Sequence, residues 1–347
     1  MAQRNIIVVG GSAGAIECLT TMIPTFPVDL PATVFIVIHM APQSPGYLAD
    51  ILSRLGRLPA RYARDGEIFA SAAIRLAPPD FHLFLEPPNV MRVVRGPREN
   101  RTRPAIDPLF RSAALAFGPR VIGVVLSGGL DDGTAGLRGI KMCGGTTVVQ
   151  DPGDALVSSM PRSALLNVSI DHCVAAHELG PLLEALARTK IADQPVGDDK
   201  MTEKLKLEVE MAKGQGMVPV TALGEPSVFT CPECHGVLSR LQDENIVRYR
   251  CHTGHAYSVD ALMASLTEKV EDYLYNAIRG IDETIFLLNH LGDHYAESNQ
   301  PKLASLYFKK AKEAERRAAV VRRAVLAHEQ LSSDTIEEQA KVESADQ

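Results

Sequence analysis

The chain has 347 residues, 46% of them hydrophobic, and a net charge of −6, so it is too long for one hydrophobic core and is expected to form two or three units. The mild acidity argues against a nucleic-acid binder with a broad basic face. No apolar stretch reaches bilayer-spanning length and no signal peptide precedes the first strand, so we expect no membrane insertion, cytoplasmic residence, and six cysteines used as thiols or metal ligands.

The first element is an apolar run, Ile6-Ile7-Val8-Val9, followed by Gly10-Gly11-Ser12-Ala13-Gly14 and a helical stretch from Ala15. G-x-S-x-G between strand and helix is a nucleophile elbow, in which small residues let a strained backbone lift the serine hydroxyl clear of the sheet. The alternatives are a plain glycine-rich turn or a dinucleotide-binding turn, although no G-x-G-x-x-G spacing fits here. A second run, Thr33-Val34-Phe35-Ile36-Val37-Ile38, ends in His39. A third, Val121-Ile122-Gly123-Val124-Val125-Leu126, ends in Ser127-Gly128-Gly129-Leu130-Asp131-Asp132-Gly133. Continuous β-branched runs are expected of strands buried on both faces of a parallel sheet, whose ligand crevice lies beyond their carboxyl ends. One crevice can therefore collect Ser12, His39 and Asp132: a nucleophile, a base to take its proton, and a carboxylate to orient the base. Singly, His39 has a plain reading as a hydrogen-bonded strand-end histidine, and Asp132 as the N-cap of a helix near Thr134.

Arg101 and Arg103 lie in a loop before a helix starting near Ala105. Such cations suit a glutamate-rich substrate, and equally a solvated loop with an ion pair to Asp107. A polar stretch, Asp193-Gln194-Pro195-Val196-Gly197-Asp198-Asp199-Lys200, reads as a domain boundary. Glu203 to Glu210 alternates charged and apolar side chains, as a strand or a docking segment would, and Gly214-Gln215-Gly216 ends it.

Cys231-Pro232-Glu233-Cys234 and Cys251-His252-Thr253-Gly254-His255 then pair two metal knuckles. Cys231, Cys234, Cys251 and His255 supply the four ligands of a tetrahedral structural zinc, with His252 as rival fourth ligand. The residues between alternate like strands with a turn at Gln242-Asp243-Glu244-Asn245, as in a zinc ribbon. From Asp260 a helical stripe runs through Leu262, Leu266, Val270, Tyr273, Ala277, Ile281 and Ile285. A second follows Pro301 through Leu303, Leu306, Ala311 and Ala314, giving a helical hairpin suited to a homodimer or a partner.

Five separated motifs carry a family resemblance: Gly10-Gly11-Ser12-Ala13-Gly14, Ile38-His39-Met40-Ala41-Pro42, Asn100 through Asp107, Leu126 through Gly133, and Ser159-Met160-Pro161. In that order they resemble the catalytic domain of bacterial chemotaxis receptor methylesterases, over roughly residues 5 to 188. The resemblance implies a doubly wound, mostly parallel α/β domain, active in chemotactic signal transduction, that hydrolyses glutamate methyl esters on protein substrates such as chemoreceptor helices and releases methanol. It implies Ser12 as nucleophile, His39 as base, Asp132 as orienting acid, backbone N–H groups of Ala13 and Gly129 as oxyanion hole, and Arg101, Arg103 and Met160 at the substrate. No cofactor is implied for catalysis. The family's Ser-Thr-Gly-Gly elbow reads Ser12-Ala13-Gly14-Ala15 here, its Thr-Gly-Met-Gly stretch reads Ser127-Gly128-Gly129-Leu130, and Asp131 stands where asparagine is frequent. Because the elbow begins at residue 10, no receiver domain is expected before it, and regulation would come from elsewhere.

The expected organisation is a catalytic α/β domain over residues 1–190, a linker over 191–227, a zinc-ribbon-like module over 228–258, a helical hairpin over 259–331 and a disordered tail over 332–347. The competing reading of function is a non-catalytic module that binds methylated or glutamate-rich helices.

Overall fold

A computed structural model describes residues 2–191, 199–214, 224–243 and 246–332, together with 335–336, 339–340 and 343. The boundary residues 193–198, the ending at Gln215-Gly216, the turn residues Glu244-Asn245 and most of the tail lie outside the described residues. The chain divides into two compact units, Met1–Leu262 and Met263–Gln347.

The first unit opens with β1 (Ala2–Gln3), β2 (Ile6–Gly11), α1 (Ala15–Met22), β3 (Thr33–Ile38), α2 (Leu48–Leu55), β4 (Ala60–Tyr62) and β5 (Ala73–Leu76). It continues with a hairpin, β6 (His82–Glu86) and β7 (Val90–Val94), then α3 (Ile106–Phe117), β8 (Val121–Val125), α4 (Thr134–Met142), β9 (Thr146–Gln150), α5 (Ser159–Asn167), β10 (His172–Val174) and α6 (Ala176–Arg188). The main sheet has the order β10-β9-β8-β2-β3-β5-β4 and is parallel throughout, the doubly wound arrangement expected from the apolar runs.

Every residue of β2 and β3 is buried, because helices cover both faces. Side chains alternate between the layers: Ile7, Val9, Val34 and Ile36 join Leu19, Met22, Leu52 and Leu183 on one side. Ile6, Val8, Phe35 and Val37 join Ile106, Phe110, Leu137 and Met160 on the other. From β2 the chain winds toward one sheet edge, then returns to β8 on the other side of β2 and winds outward again. The carboxyl ends of β2, β3 and β8 therefore flank the switch point, where open α/β sheets bind ligands.

After β11 (Lys190–Ile191), which pairs with β1, comes α7 (Asp199–Ala212). The alternating segment at Glu203 is thus helical. Leu205 joins the α3 side of the core, and Val209 and Ala212 pack on Phe84. A Cβ at Gly96 would stand 1.9 Å from Ala212 O, so this close approach requires glycine. Next, β12 (Glu225–Thr230), β13 (Val237–Asp243), β14 (Ile246–Cys251) and β15 (Ala256–Ser258) form a four-stranded antiparallel sheet in that order. This sheet, expected as a module of its own, lies within the first compact unit.

The second unit takes up α8 (Val259–Glu297) beyond Leu262 and α9 (Pro301–Leu326). Pro301 sits in the first turn of α9, where its missing N–H leaves no helical bond unmade. Ile285, Ala311, Ala314 and Ala318 are buried, and the Phe308 ring lies against Gly292, where a Cβ would be 2.6 Å away. The expected apolar stripe is only partly covered: Val270, Tyr273 and Leu306 are exposed, since two helices bury only their facing stripe. Among the described residues no helix is long and apolar enough to cross a membrane.

Candidate active site

Hydrogen bonding that runs one step past the strand ends fixes Ser12 and His39. Leu126 N donates to Gly10 O at 2.8 Å and Ser12 N to Ser127 O at 2.9 Å, lacing the elbow to the end of β8. His39 N donates to Gly11 O at 3.1 Å, lacing the end of β3 to β2. The elbow differs from the strained form expected of it. The left-handed residue is Gly14 (φ 81), at the N-cap of α1, and not Ser12. Gly14 packs on Ser127 and Gly128 packs beneath Ser12, each too tightly for a Cβ.

His39 Nε2 lies 2.8 Å from Asp132 Oδ2, leaving Nδ1 as the second ring nitrogen. Asp132 is buried and does not cap α4, whose N-cap is Gly133. It sits instead at the start of α3, where Ile106 N donates to Oδ2 at 2.7 Å, while Asn100 Nδ2 and Gly133 N each donate to Oδ1 at 2.9 Å. Burial raises its pKa, but the bond and charge of His39, the Ile106 N–H and the Asn100 amide outweigh that and hold the carboxylate below its usual range. Two neighbours behave oppositely. Burial and the Asp132 charge push Asp107 up to about 7. Burial lifts Asp131 to about 8 despite its bond to Ser258.

Ser12, Ala13, His39, Asn100, Arg101, Gly129 and Asp132 line a cavity of ≈ 470 Å³. The N–H groups of Ala13 and Gly129 have no backbone partner among the described residues, and the space beside Gly129 is open. An adjoining hollow of ≈ 380 Å³ shares His39 and Arg101 and adds Arg98 and Arg103. Arg103 is committed within the protein, donating to Asp80 Oδ1 at 2.6 Å and Gly96 O at 2.7 Å, so its ion pair is with Asp80 and not Asp107. Met160 is fully buried beneath Gly128, to whose carbonyl its N–H donates at 2.9 Å; it forms the floor under the elbow and does not line the cavity.

Sequence reasoning passed over two buried polar residues here. The Ser127 hydroxyl donates to Ala13 O at 2.7 Å and accepts from Val157 N at 2.9 Å, tying the elbow to the opposite wall. His82 links Pro97 O and Ala105 N across the base of the arginine loop. Serine and histidine are common outside sites, and no spacing marks these two.

In the four-stranded sheet, Cys231, Cys234, Cys251 and His255 present ligand atoms all within 4.8 Å of one another. Cys234 Sγ lies 3.6 Å from Cys251 Sγ, and His255 Nδ1 lies 3.8 Å from Cys231 Sγ and 3.6 Å from Cys251 Sγ. Tetrahedral bonds of about 2.3 Å to a common ion would put sulfurs about 3.8 Å apart, so the group can hold a metal. His252 is exposed and outside it.

The sequence profile of the CheB methylesterase family matches residues 7–183. A putative protein-glutamate methylesterase/protein-glutamine glutaminase of Leptospira interrogans is 36% identical over 185 residues, 53% of this chain and 96% of that protein. A protein-glutamate methylesterase/protein-glutamine glutaminase of Methanosarcina mazei is 34% identical over 46% of this chain and 45% of its own length. The crystal structure of the Thermotoga maritima CheB methylesterase catalytic domain superposes with a TM-score of 0.52 at 31% identity, covering 54% of this chain and 100% of that domain. With its doubly wound sheet, its serine elbow and half its length matched, this chain belongs to the CheB methylesterase family, a family of carboxylic ester hydrolases.

Proposed function

We propose that the chain hydrolyses glutamate methyl esters on a protein substrate, chemoreceptor helices being the class expected of its family, and that it does so in the cytoplasm with Ser12 as nucleophile. The observation that carries this is the 2.8 Å His39–Asp132 bond at the mouth of a cavity that Ser12 also lines. Asp132 holds the Nε2–H tautomer, which leaves Nδ1 to take the Ser12 proton as Oγ attacks the ester carbonyl. The N–H groups of Ala13 and Gly129 donate to the tetrahedral oxyanion, and the N-terminus of α1 favours its charge. The C–O bond to the methoxy group then breaks. Methanol leaves with the proton from His39, and water hydrolyses the acyl-enzyme by the same route. A glutamine amide would give the same acyl-enzyme with ammonia as leaving group, in keeping with the double names of the relatives.

Arg101, beside Arg98 with its ion pair to Glu233, lines the adjoining hollow, where a cation suits the steering of a glutamate-rich helix. The three-cysteine, one-histidine group would hold zinc in a structural role, since thiolate and imidazole donors suit that ion and four protein ligands would leave no open position. A serine-directed fluorophosphonate tests the assignment by intact mass: one adduct per chain, mapped to Ser12 and absent from Ser12→Ala, is expected. Unlabelled protein that still binds methylated helices would favour the non-catalytic reading.

A further inference from the structure

Asn100 lies between two parts of the first unit that have no sequence motif in common. Its N–H donates to Ala256 O at 2.8 Å, its Oδ1 accepts from Ser258 N at 2.9 Å, and its Nδ2 donates to Asp132 Oδ1 at 2.9 Å. Ala256 directly follows His255, a residue of the metal-ligand group. One amide side chain therefore connects the strand leaving that group to the carboxylate that holds His39.

The loop around Asn100 requires such ties. Asn100 (φ 48) and Arg101 (φ 70) both adopt left-handed backbone, which asparagine tolerates better than most residues but which neighbouring contacts must enforce. A second tie runs in parallel. The buried Arg250 donates from Nη1 to Gly254 O at 2.9 Å, inside the Cys251–His255 turn, and from Nη2 to Glu99 Oε1 at 2.7 Å, next to Asn100. Glu99 in turn pairs with Arg111 of α3. Ser258 Oγ, beside the amide that grips Asn100, bonds Asp131.

We propose that Asn100 is a positioning residue for ester hydrolysis and that the metal-bound sheet holds it, so that loading of the three-cysteine, one-histidine group sets the orientation of Asp132 and, through it, of His39. The inference rests on the Ser12–His39–Asp132 reading. A slack Asn100 removes a donor from Asp132 Oδ1 and lets the carboxylate turn about the bonds that remain. Misplacement of a catalytic group by about 1 Å costs on the order of 100-fold in rate.

The test is a cycle on the full chain: wild type and Asn100→Ala, each zinc-loaded and chelated. It reads small-ester kcat and KM, fluorophosphonate labelling of Ser12, and the low-field NMR signal of the His39 proton bonded to Asp132. Zinc-loaded Asn100→Ala should keep its metal, lose about 100-fold in kcat with KM within about threefold, and lose the low-field signal. Chelated wild type should show the same losses, reversed by zinc, and chelating Asn100→Ala should add nothing further, because both ties from the metal turn reach Asp132 through Asn100. Chelated wild type with kcat within twofold and an intact signal would overturn the inference, as would losses that multiply. Chelated protein that loses the thermal transition of its α/β core would also overturn it, since the metal would then support the fold and not the orientation of Asp132. Zinc-loaded wild type that takes no label at Ser12 would instead sink the triad reading itself.

Discussion

The main sheet and the sheet that follows α7 are held to the first unit by different chemistry. Strands β2 and β3 are buried along their whole length among aliphatic and aromatic side chains. The second sheet meets α3 and α7 through buried ions beside a small apolar contact of Met211 and Leu207 with Leu241: Glu208 pairs with Arg248 at 2.7 Å and Arg111 at 3.2 Å, and Arg250 pairs with Glu99 at 2.7 Å. Burial raises the pKa of Glu99 and Glu208, but the surrounding arginines outweigh it and hold both below the usual carboxylate range. Apolar burial is non-directional and additive. A buried ion network stabilises little overall, yet losing one member leaves an uncompensated charge. The contrast implies that the main sheet tolerates small changes one at a time, whereas the attachment of the second sheet fails at single residues.

Loss of the nucleophile gives the largest expected effect. Ser12→Ala and His39→Ala should each cut kcat by about 10⁴- to 10⁶-fold with the thermal transition unchanged, because triad members act as a unit and the sheet beneath does not depend on them. Asp132→Asn should cost about 10⁴-fold, as loss of the orienting acid does in serine proteases. Asp131→Asn, which touches Ser258 and not His39, should cost less than about tenfold in the same rate assay. The reverse ranking would move the orienting acid by one residue.

Glu208→Gln should destabilise the first unit by about 3–5 kcal/mol in urea unfolding, the penalty for orphaning buried arginines. A loss below about 1 kcal/mol, typical of an exposed pair, would erase the distinction between the two sheets.

A smaller effect is pH-dependent. The pKa of Asp131 rises to about 8 on folding from 3.8, so between those values the folded state holds a proton that the unfolded state has lost. Stability should therefore fall as pH rises from about 4 to 8, with Asp107, raised to about 7, acting in the same direction. The depressed Glu99 and Glu208 act oppositely and destabilise only as pH drops through their lowered pKa values. Asp131→Asn should flatten this decline in a Tm-against-pH series, and an unchanged slope would remove Asp131 as its source. The smallest effect is expected at the rim: Arg101→Ala should raise KM for a glutamate-rich helix about fivefold at low salt and less at high salt.

How much the sequence revealed follows the same division. Ile6 to Val9, Thr33 to Ile38 and Val121 to Leu126 announce buried parallel strands because burial on both faces leaves an unbroken apolar run. Ser12, His39 and Asp132 stand at the ends of those runs, so the topology that gathers them could be inferred. Glu203 to Glu210 misled because its apolar residues alternate, while the buried residues of α7 are Leu205, Glu208, Val209, Met211 and Ala212. One of those five is a carboxylate, so hydrophobic periodicity registers the helix poorly. Asn100, Arg111, Arg248 and Arg250 were illegible for a related reason: charged and amide side chains read as solvated until the partner that neutralises them, far away in sequence, is known. Met160, assigned to the substrate by resemblance, packs under the elbow.

Methanol release from a methyl-esterified, glutamate-rich receptor helix, compared between wild type and Ser12→Ala, tests the central claim most directly. The wild-type chain should release one methanol per ester cleaved while Ser12→Ala stays at the spontaneous rate. A Ser12→Ala protein that keeps more than about a tenth of wild-type turnover, a barrier change under about 1.4 kcal/mol, would contradict serine catalysis in this chain.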